Sequence, residues 1–314
     1  MYIEPNLNRR IKEKVKKLKA LRPLPPSAVN KLKEQFEIEL TYHSDAIEGN
    51  RLTEKETFWV IKEGLTIKGK PLKDHLEAIG HKDALDYIYS LTKKKGEEIF
   101  TEHNIRMIHQ LIMKRVDSQW AGKYRNGPVK ITGSKYVPPE SQKIPYLMRN
   151  LVLWIRKNPE NLSVIELAAL AHFKIVHIHP FFDGNGRLAR LLMNIILLRA
   201  AYPIAVVLKF DRARYYRLLA LADKGQFQPF INFIGRVVER SLDLYLKALE
   251  PIKKKKSEKY ISLAEATKGT PYSQEYLSLL ARRGKIEAFK IQRNWVTTRE
   301  AMNRYIKEIR NKKK

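Results

Sequence analysis

Apolar residues recur at helical spacing along most of the first 250 positions. Leu32, Phe36, Leu40 and Ile47 fall near one face of a helix that begins at Ser27 and stops at Gly49-Asn50. Thr53 with Glu56 forms a capping-box pair that starts another helix, Lys70-Pro71 interrupts the chain, and Asp74 to Leu91 and Thr101 to Val116 return to the helical pattern. Ile144 to Lys157 repeats it. Ser163 with Glu166 caps a segment that is apolar nearly all round, so this helix should lie at the centre of the molecule. A second buried helix is predicted from about Gly186 to Ala201, then helices from Asp211 to Lys224 and from Gln228 to Leu249. Residues 1–25 are basic and run into Arg22-Pro23-Leu24-Pro25-Pro26, a turn or linker. Residues 122–140 break the helical rhythm with short Val/Ile/Tyr alternation, glycines and Pro138-Pro139, which predicts a β-hairpin or an extended flap. The expected fold class is all-α with one small β-hairpin flap.

The pattern changes after Pro251. Lys253 to Lys256 reads as a linker. Ser262 with Glu265 should cap a short helix, Thr270-Pro271-Tyr272 should turn, and Ser273 should cap a helix reaching Arg283, ended by Gly284. Two strands follow around a turn at Arg293-Asn294, and Thr297 with Glu300 should cap a last helix. Helix, turn, helix, two strands and helix is the order of a winged helix-turn-helix domain.

Composition narrows the class. Hydrophobic residues are 44% and charged residues 30%, which excludes a disordered chain. The longest apolar candidate, Leu188 to Val207, contains Arg190, Asn194, Arg199 and Pro203 and so reads as a buried helix, not a membrane span. With no cysteine, disulfides and thiolate metal sites are excluded, and a reducing compartment, the cytoplasm, is the expected location. Lys and Arg number 61 against 33 Asp and Glu, a net charge of +28, which suits nucleotides, nucleic acid or acidic proteins as partners, or simply a lysine-rich solvated surface. Residues 251–314 hold 18 Lys and Arg against 6 Glu, a local net of +12.

The chemistry concentrates in one turn, His179-Pro180-Phe181-Phe182-Asp183-Gly184-Asn185-Gly186-Arg187-Leu188-Ala189-Arg190. Gly184 and Gly186 allow backbone angles at which successive amides converge on an anion, and the helix that starts there adds its positive end. Arg187 and Arg190 can reach back to oxyanions. Asp183 beside a phosphate suggests a divalent cation. His179 can take a proton near neutral pH. His109, His172 and His177, on apolar helical faces, read as packed core residues.

These twelve residues resemble the signature of Fic proteins, His-Pro-Phe-x-(Asp/Glu)-Gly-Asn-Gly-Arg-x-x-Arg, with every fixed position present. The resemblance extends over roughly residues 30–250. It implies a helical Fic core and transfer of AMP from ATP to a Ser, Thr or Tyr hydroxyl of a protein, or of the chain itself. It further implies His179 as base, Asp183 as ligand of Mg²⁺ or Mn²⁺, and phosphate binding by Gly184, Asn185, Gly186, Arg187 and Arg190. Val129-Lys130-Ile131-Thr132-Gly133 resembles the family's target-aligning flap. Tyr215, Tyr216 and Asp223 resemble its adenine pocket, although the family often has Asn where Asp223 stands.

Ser44-Asp45-Ala46-Ile47-Glu48-Gly49 resembles the family's inhibitory motif, (Ser/Thr)-x-x-x-Glu-(Gly/Asn). Ser44 and Glu48 lie four apart on one helical face, and Glu48 sits where the helix dipole disfavours a negative charge. The resemblance implies that Glu48 pairs with Arg190 in place of the γ-phosphate; such glutamates can also position water for AMP removal. The tail resembles small excisionase-type helix-turn-helix domains, which implies duplex DNA as a partner. The expected division is an inhibitory helical region (1–95), the Fic core (96–250) and a DNA-binding winged helix (251–314). A homodimer stays open, as does the alternative of a nucleotide-sensing transcriptional regulator.

Overall fold

A computed structural model describes residues 2–93, 99–131, 133–134, 136–249, 261–268, 270–283, 285–291 and 294–311. The chain divides into two compact units, residues 1–249 and 250–314.

In the first unit the helices are α1 (Pro5–Ala20), α2 (Pro26–Ile47), α3 (Glu54–Lys62), α4 (Leu72–Lys93), α5 (Glu102–Met113), α6 (Ile144–Lys157), α7 (Val164–Ile178), α8 (Asn185–Arg199), α9 (Arg212–Ala222) and α10 (Gln228–Leu249). The two capping boxes form as the sequence predicts, at Thr53–Glu56 and Ser163–Glu166. α7 and α8 pair at the centre. Ile165, Ala168, Ala171 and Ile175 of α7, with Leu188, Leu191, Leu192 and Ile195 of α8, are all fully or almost fully buried. α8 is hidden on all sides, and its polar Asn194 is used inside: its amide donates to Arg190 O and Ala205 O, and its oxygen accepts from Ala205 N.

Residues 1–25 are more than a basic linker. Leu7, Ile11, Val15 and Leu18 make an apolar stripe on α1 that packs along α10. The stripe was present in the sequence, but the surrounding lysines and arginines masked it. Arg10 and Lys14 then pair with Glu239 and Asp243 of α10.

Residues 122–140 take the extended-flap form, with no strand pairing among the described residues. Pro128, Pro138 and Pro139 have no amide to give a ladder. The local bonds are turns, Ser134 N to Ile131 O and Tyr136 N to Ser134 Oγ. Thr132 lies outside the described residues.

The second unit contains β1 (Ile261–Ser262), α11 (Leu263–Ala266), α12 (Gln274–Arg282), β2 (Ala288–Ile291), β3 (Asn294–Thr297) and α13 (Arg299–Asn311). The strands form an antiparallel sheet in the order β1-β3-β2. Leu263, Leu277, Leu280, Ile286, Met302 and Tyr305 are its core. Ser262 and Ser273 cap their helices as predicted. Three details differ from the sequence reading. Strand β1 was not foreseen, because two residues carry no period. Asn294 belongs to β3, opposite Ile291, and not to the turn. The last helix is capped by Thr298, whose hydroxyl accepts from Ala301 N, while Thr297 donates to Glu287 O. Lys253–Lys256, Gly284 and Arg293 lie outside the described residues.

Candidate active site

The turn between α7 and α8 is set by two left-handed residues. His179 ends α7 at φ 51°, and Gly184 opens α8 at φ 76°. A side chain on Gly184 would press on Met113 Sδ and His109 Nε2, 3.0 and 3.1 Å from an added Cβ, so the turn needs both the angle and the missing atom. Asn185 is 2% exposed and locks the turn from inside: its oxygen accepts from Phe181 N and its amide donates to Phe181 O. Its side chain is structural, which leaves the backbone amides as the groups that could meet an anion.

His109 of α5 has a larger role than core packing. Gly122 N donates to its Nδ1 at 3.0 Å, so the proton of the neutral ring is on Nε2, which donates to Asp183 O at 2.9 Å. Its ring stacks on Phe181 at 3.6 Å. Burial holds its pKa down at about 4, which keeps this tautomer neutral. Asp183 has its backbone pinned in this way, its Oδ1 accepts from Gly184 N at 2.6 Å, and its side chain is 61% exposed. His172 is buried as expected and pairs with Tyr215. His177 is not a core residue: its side chain is 37% exposed and Nδ1 lies 3.2 Å from Asp223 Oδ1.

His179 donates from Nδ1 to Val176 O at 3.3 Å, which leaves Nε2 as the free acceptor of the neutral ring. Burial lowers its pKa, opposed by Asp183 and Glu48. A neutral imidazole with a free Nε2 can accept a proton at pH 7.

Arg187 and Arg190 are each 1% exposed. Arg190 donates from Nε to Ser44 Oγ and from Nη2 to Ser44 O, both at 2.9 Å, and from Nη2 to Glu48 Oε1 at 2.7 Å. Glu48 caps the C-terminal end of α2 and its side chain is 31% exposed. Its Oε1 would lie 2.3 Å from a Cβ on Gly186, so the carboxylate rests directly on the start of α8. The pair is thus a charge-assisted bond between the end of one helix and the head of another, and the carboxylate raises the Arg190 pKa against the effect of burial.

Arg187 lies 3.3 Å from Glu77 Oε1 and 3.5 Å from Asp183 Oδ2. Glu77 is held in turn by Asn50, whose amide donates to its Oε2 at 3.0 Å. Asp45 is fully buried close by, and burial pushes its pKa up to about 7 despite Arg187. Among the described residues, Arg187 Nε and Arg190 Nη1 make no hydrogen bond, while Arg187 Nη1 is ion-paired with Glu77 Oε1 at 3.3 Å. Buried guanidinium donors without acceptors are uncommon and mark a place suited to an anion.

The remaining candidates are spread out. Tyr216 lies beside Glu48, its hydroxyl 3.5 Å from Glu48 Oε2 and its ring under Arg212. Tyr215 is 1% exposed and faces the core, with its hydroxyl 2.8 Å from His172 Nε2. Asp223 pairs with His177, whose ring is stacked by Tyr136 at 4.2 Å. Val129, Lys130, Ile131 and Gly133 lie along the extended flap. Asn50, Glu77, His109 and Arg125 (below) were not foreseen, since isolated polar residues at helical positions give no pattern.

Among the described residues no cluster of three or more His, Asp or Glu side chains could cage a metal. A magnesium ion keeps most of its waters and shares substrate oxygens, so the single exposed carboxylate of Asp183 is compatible with one.

Residues 99–197 match the model of the Fic/DOC family. The chain is 42% identical over 206 residues to protein adenylyltransferase Fic of Nematostella vectensis, covering 65% of this chain and 48% of that one. Among solved structures it is similar to a Fic domain containing signaling protein from Bacteroides thetaiotaomicron, at 32% identity and a TM-score of 0.71, covering 77% of this chain and 97% of that one. It is also similar to Fic-1 from C. elegans, at 30% identity and a TM-score of 0.69, covering 77% and 71%. An all-helical unit whose central helix pair carries the full His179–Arg190 signature, with this breadth of likeness, belongs to the Fic/DOC family. The chain spans about half the length of the adenylyltransferase relatives it matches. No helix among the described residues is long and apolar enough to cross a membrane.

Proposed function

We propose that this protein is a self-restrained protein adenylyltransferase. The observation that carries the reading is the convergence at the head of α8 of a neutral His179, the Asp183 carboxylate and two buried arginines with unused donors. ATP would lie with its phosphates over the amides of Gly184, Asn185 and Gly186, where the helix end favours negative charge. Arg187 would hold the phosphates and Arg190 the γ-phosphate. Asp183 would hold a divalent cation, which when bound supplies positive charge to the phosphate oxygens.

His179 Nε2 would take the proton of a Ser, Thr or Tyr hydroxyl on a protein, or on this chain, aligned along residues 129–133. The hydroxyl oxygen bonds to the α-phosphorus, the bond from that phosphorus to the bridging oxygen of pyrophosphate breaks, and pyrophosphate leaves. Most of the rate would come from positioning and from charge stabilisation.

Glu48 would be the restraint. Its carboxylate occupies the Arg190 donor that the γ-phosphate needs, and Ser44 holds the same guanidinium in place. The tail adds a second reading: the +12 charge of residues 251–314 and the order helix, helix, hairpin, helix support a winged-helix unit that binds duplex DNA through α12. Label transfer from ATP to protein by the Glu48→Gly variant tests the catalytic reading; its loss in the same variant with His179→Ala tests the base.

A further inference from the structure

Arg125 is 3% exposed. Among the described residues its guanidinium is held by main-chain carbonyls and not by a carboxylate. Nε donates to His179 O at 2.8 Å, Nη1 to Gly127 O at 2.8 Å and Nη2 to Pro139 O at 2.5 Å, while its own amide donates to Pro180 O at 3.0 Å. A buried charge without a counter-ion is costly to keep, so a chain that keeps one gains something from its geometry. Here one planar fork takes three carbonyls from three places: the start of the 126–140 loop, its end, and the last residue before the catalytic turn.

Each of those carbonyls needs outside help. Among the described residues the loop has no ladder, and Pro128, Pro138 and Pro139 supply no donors. His179 is a non-glycine residue at φ 51°, a strained conformation that persists only when its surroundings enforce it. A lysine could serve only part of this arrangement, because it presents a single point charge instead of a rigid fork.

We propose that Arg125 is a positioning residue for the transfer reaction, whose guanidinium fixes both ends of the 126–140 loop to the carbonyl of His179. The loop that aligns the acceptor and the imidazole that deprotonates it are then held as one body, independently of the phosphate site on α8. The inference rests on the assignment of His179 as base and of this loop as the acceptor guide. A misplacement of about 1 Å between acceptor and base is enough to cost roughly 100-fold in rate.

The test uses the full chain carrying Glu48→Gly, with Arg125→Gln or Arg125→Lys added. Three quantities are read: label from α-labelled ATP on the chain and on total protein of a cell extract, ATP affinity by calorimetry, and backbone amide exchange. Both variants should lose about 10–100-fold in transfer with ATP affinity within about threefold. Amide exchange should quicken only in residues 126–140 and around 179–184. Arg125→Lys keeps the charge and covers the case in which Arg125→Gln does not fold. Transfer within about threefold of the parent overturns the proposal, as does exchange that quickens throughout residues 1–249, which would make Arg125 ordinary fold support. His179→Ala is the separate control. If it retains transfer, the base assignment falls, while loop exchange in the Arg125 variants still decides whether the tie exists.

Discussion

Under the proposed function, replacing Glu48 by glycine should raise AMP transfer, and the structure gives the size of the effect. Glu48 gives up one bond to Arg190, 2.7 Å long and charged at both ends. Arg190 keeps its two bonds to Ser44, so the guanidinium stays where the phosphate needs it. A hydrogen bond between charged groups contributes about 1.5–3 kcal/mol, and the 31% exposure of the Glu48 side chain argues against a deeper-burial value. At about 1.4 kcal/mol per tenfold, that range predicts a rise in transfer of roughly 10–150-fold. The assay is the initial rate of label incorporation from α-labelled ATP at sub-saturating nucleotide, for wild type, Glu48→Gly, Arg190→Ala and the double variant. Arg190→Ala should be inactive, because it removes the restraint and the phosphate ligand together. The double variant should match Arg190→Ala, the non-additivity expected of residues that share one interaction. A rise below about threefold in Glu48→Gly would refute the reasoning and leave Glu48 as an ordinary helix-end carboxylate.

Other outcomes follow from the same geometry. In the Glu48→Gly background, His179→Ala should reduce transfer by ~10²–10⁴-fold while ATP affinity, read by calorimetry, changes little. His109→Phe keeps the stack on Phe181 but removes the donor to Asp183 O; transfer should fall about tenfold, and chemical denaturation should show a loss of about 1–3 kcal/mol. The buried histidines His43, His81, His109 and His172 have pKa values lowered to about 4, 3, 4 and 3. The unfolded chain therefore binds more protons than the folded one between about pH 4 and 6.5. Their contribution to stability is complete above pH 6.5 and is lost as pH falls, so the melting temperature at pH 5 should lie about 5 °C or more below that at pH 7.5. Asp45, raised to about 7, acts in the opposite sense, and Asp45→Asn should raise the melting temperature at pH 8 more than at pH 5.5. The full chain should shift duplex DNA in a gel at low salt, steeply weakened by added salt, whereas a chain ending at Leu249 should not; equal binding by both would remove the DNA reading of the tail.

Much of this molecule was legible in the sequence where a local rule governs it. The capping boxes at Thr53 and Ser163 are short-range chemistry, and α3 and α7 begin where those residues put them. Glu48 and Arg190 are 142 positions apart, yet their meeting was foreseen because Arg190 belongs to a long, specific motif and Glu48 to a short one that resembles its inhibitory partner. Features that depend on distant parts of the chain were hidden. α1 has a regular apolar stripe, but its worth depends on α10, more than 200 residues away, and the lysines around it obscure the pattern. Arg125 has no neighbour in sequence that hints at three carbonyls waiting for it. Thr297 and Thr298 compete for one cap, and the strand pairing of β3 decides in favour of Thr298 by turning Thr297 towards Glu287 O. The adenine-side candidates fared differently, since a pair of adjacent tyrosines on a helix necessarily points two ways: Tyr215 faces the core and Tyr216 faces Glu48.

The proposed reaction moves AMP to a protein hydroxyl. It is tested most directly by incubating Glu48→Gly with ATP labelled either at the α- or at the γ-phosphate, in the presence of cell extract, and following label on protein. Label should arrive from the α-position and not from the γ-position, and the α-signal should vanish when His179→Ala is added. Label arriving from the γ-position alone, or no label at all from a folded protein that binds ATP, would contradict it.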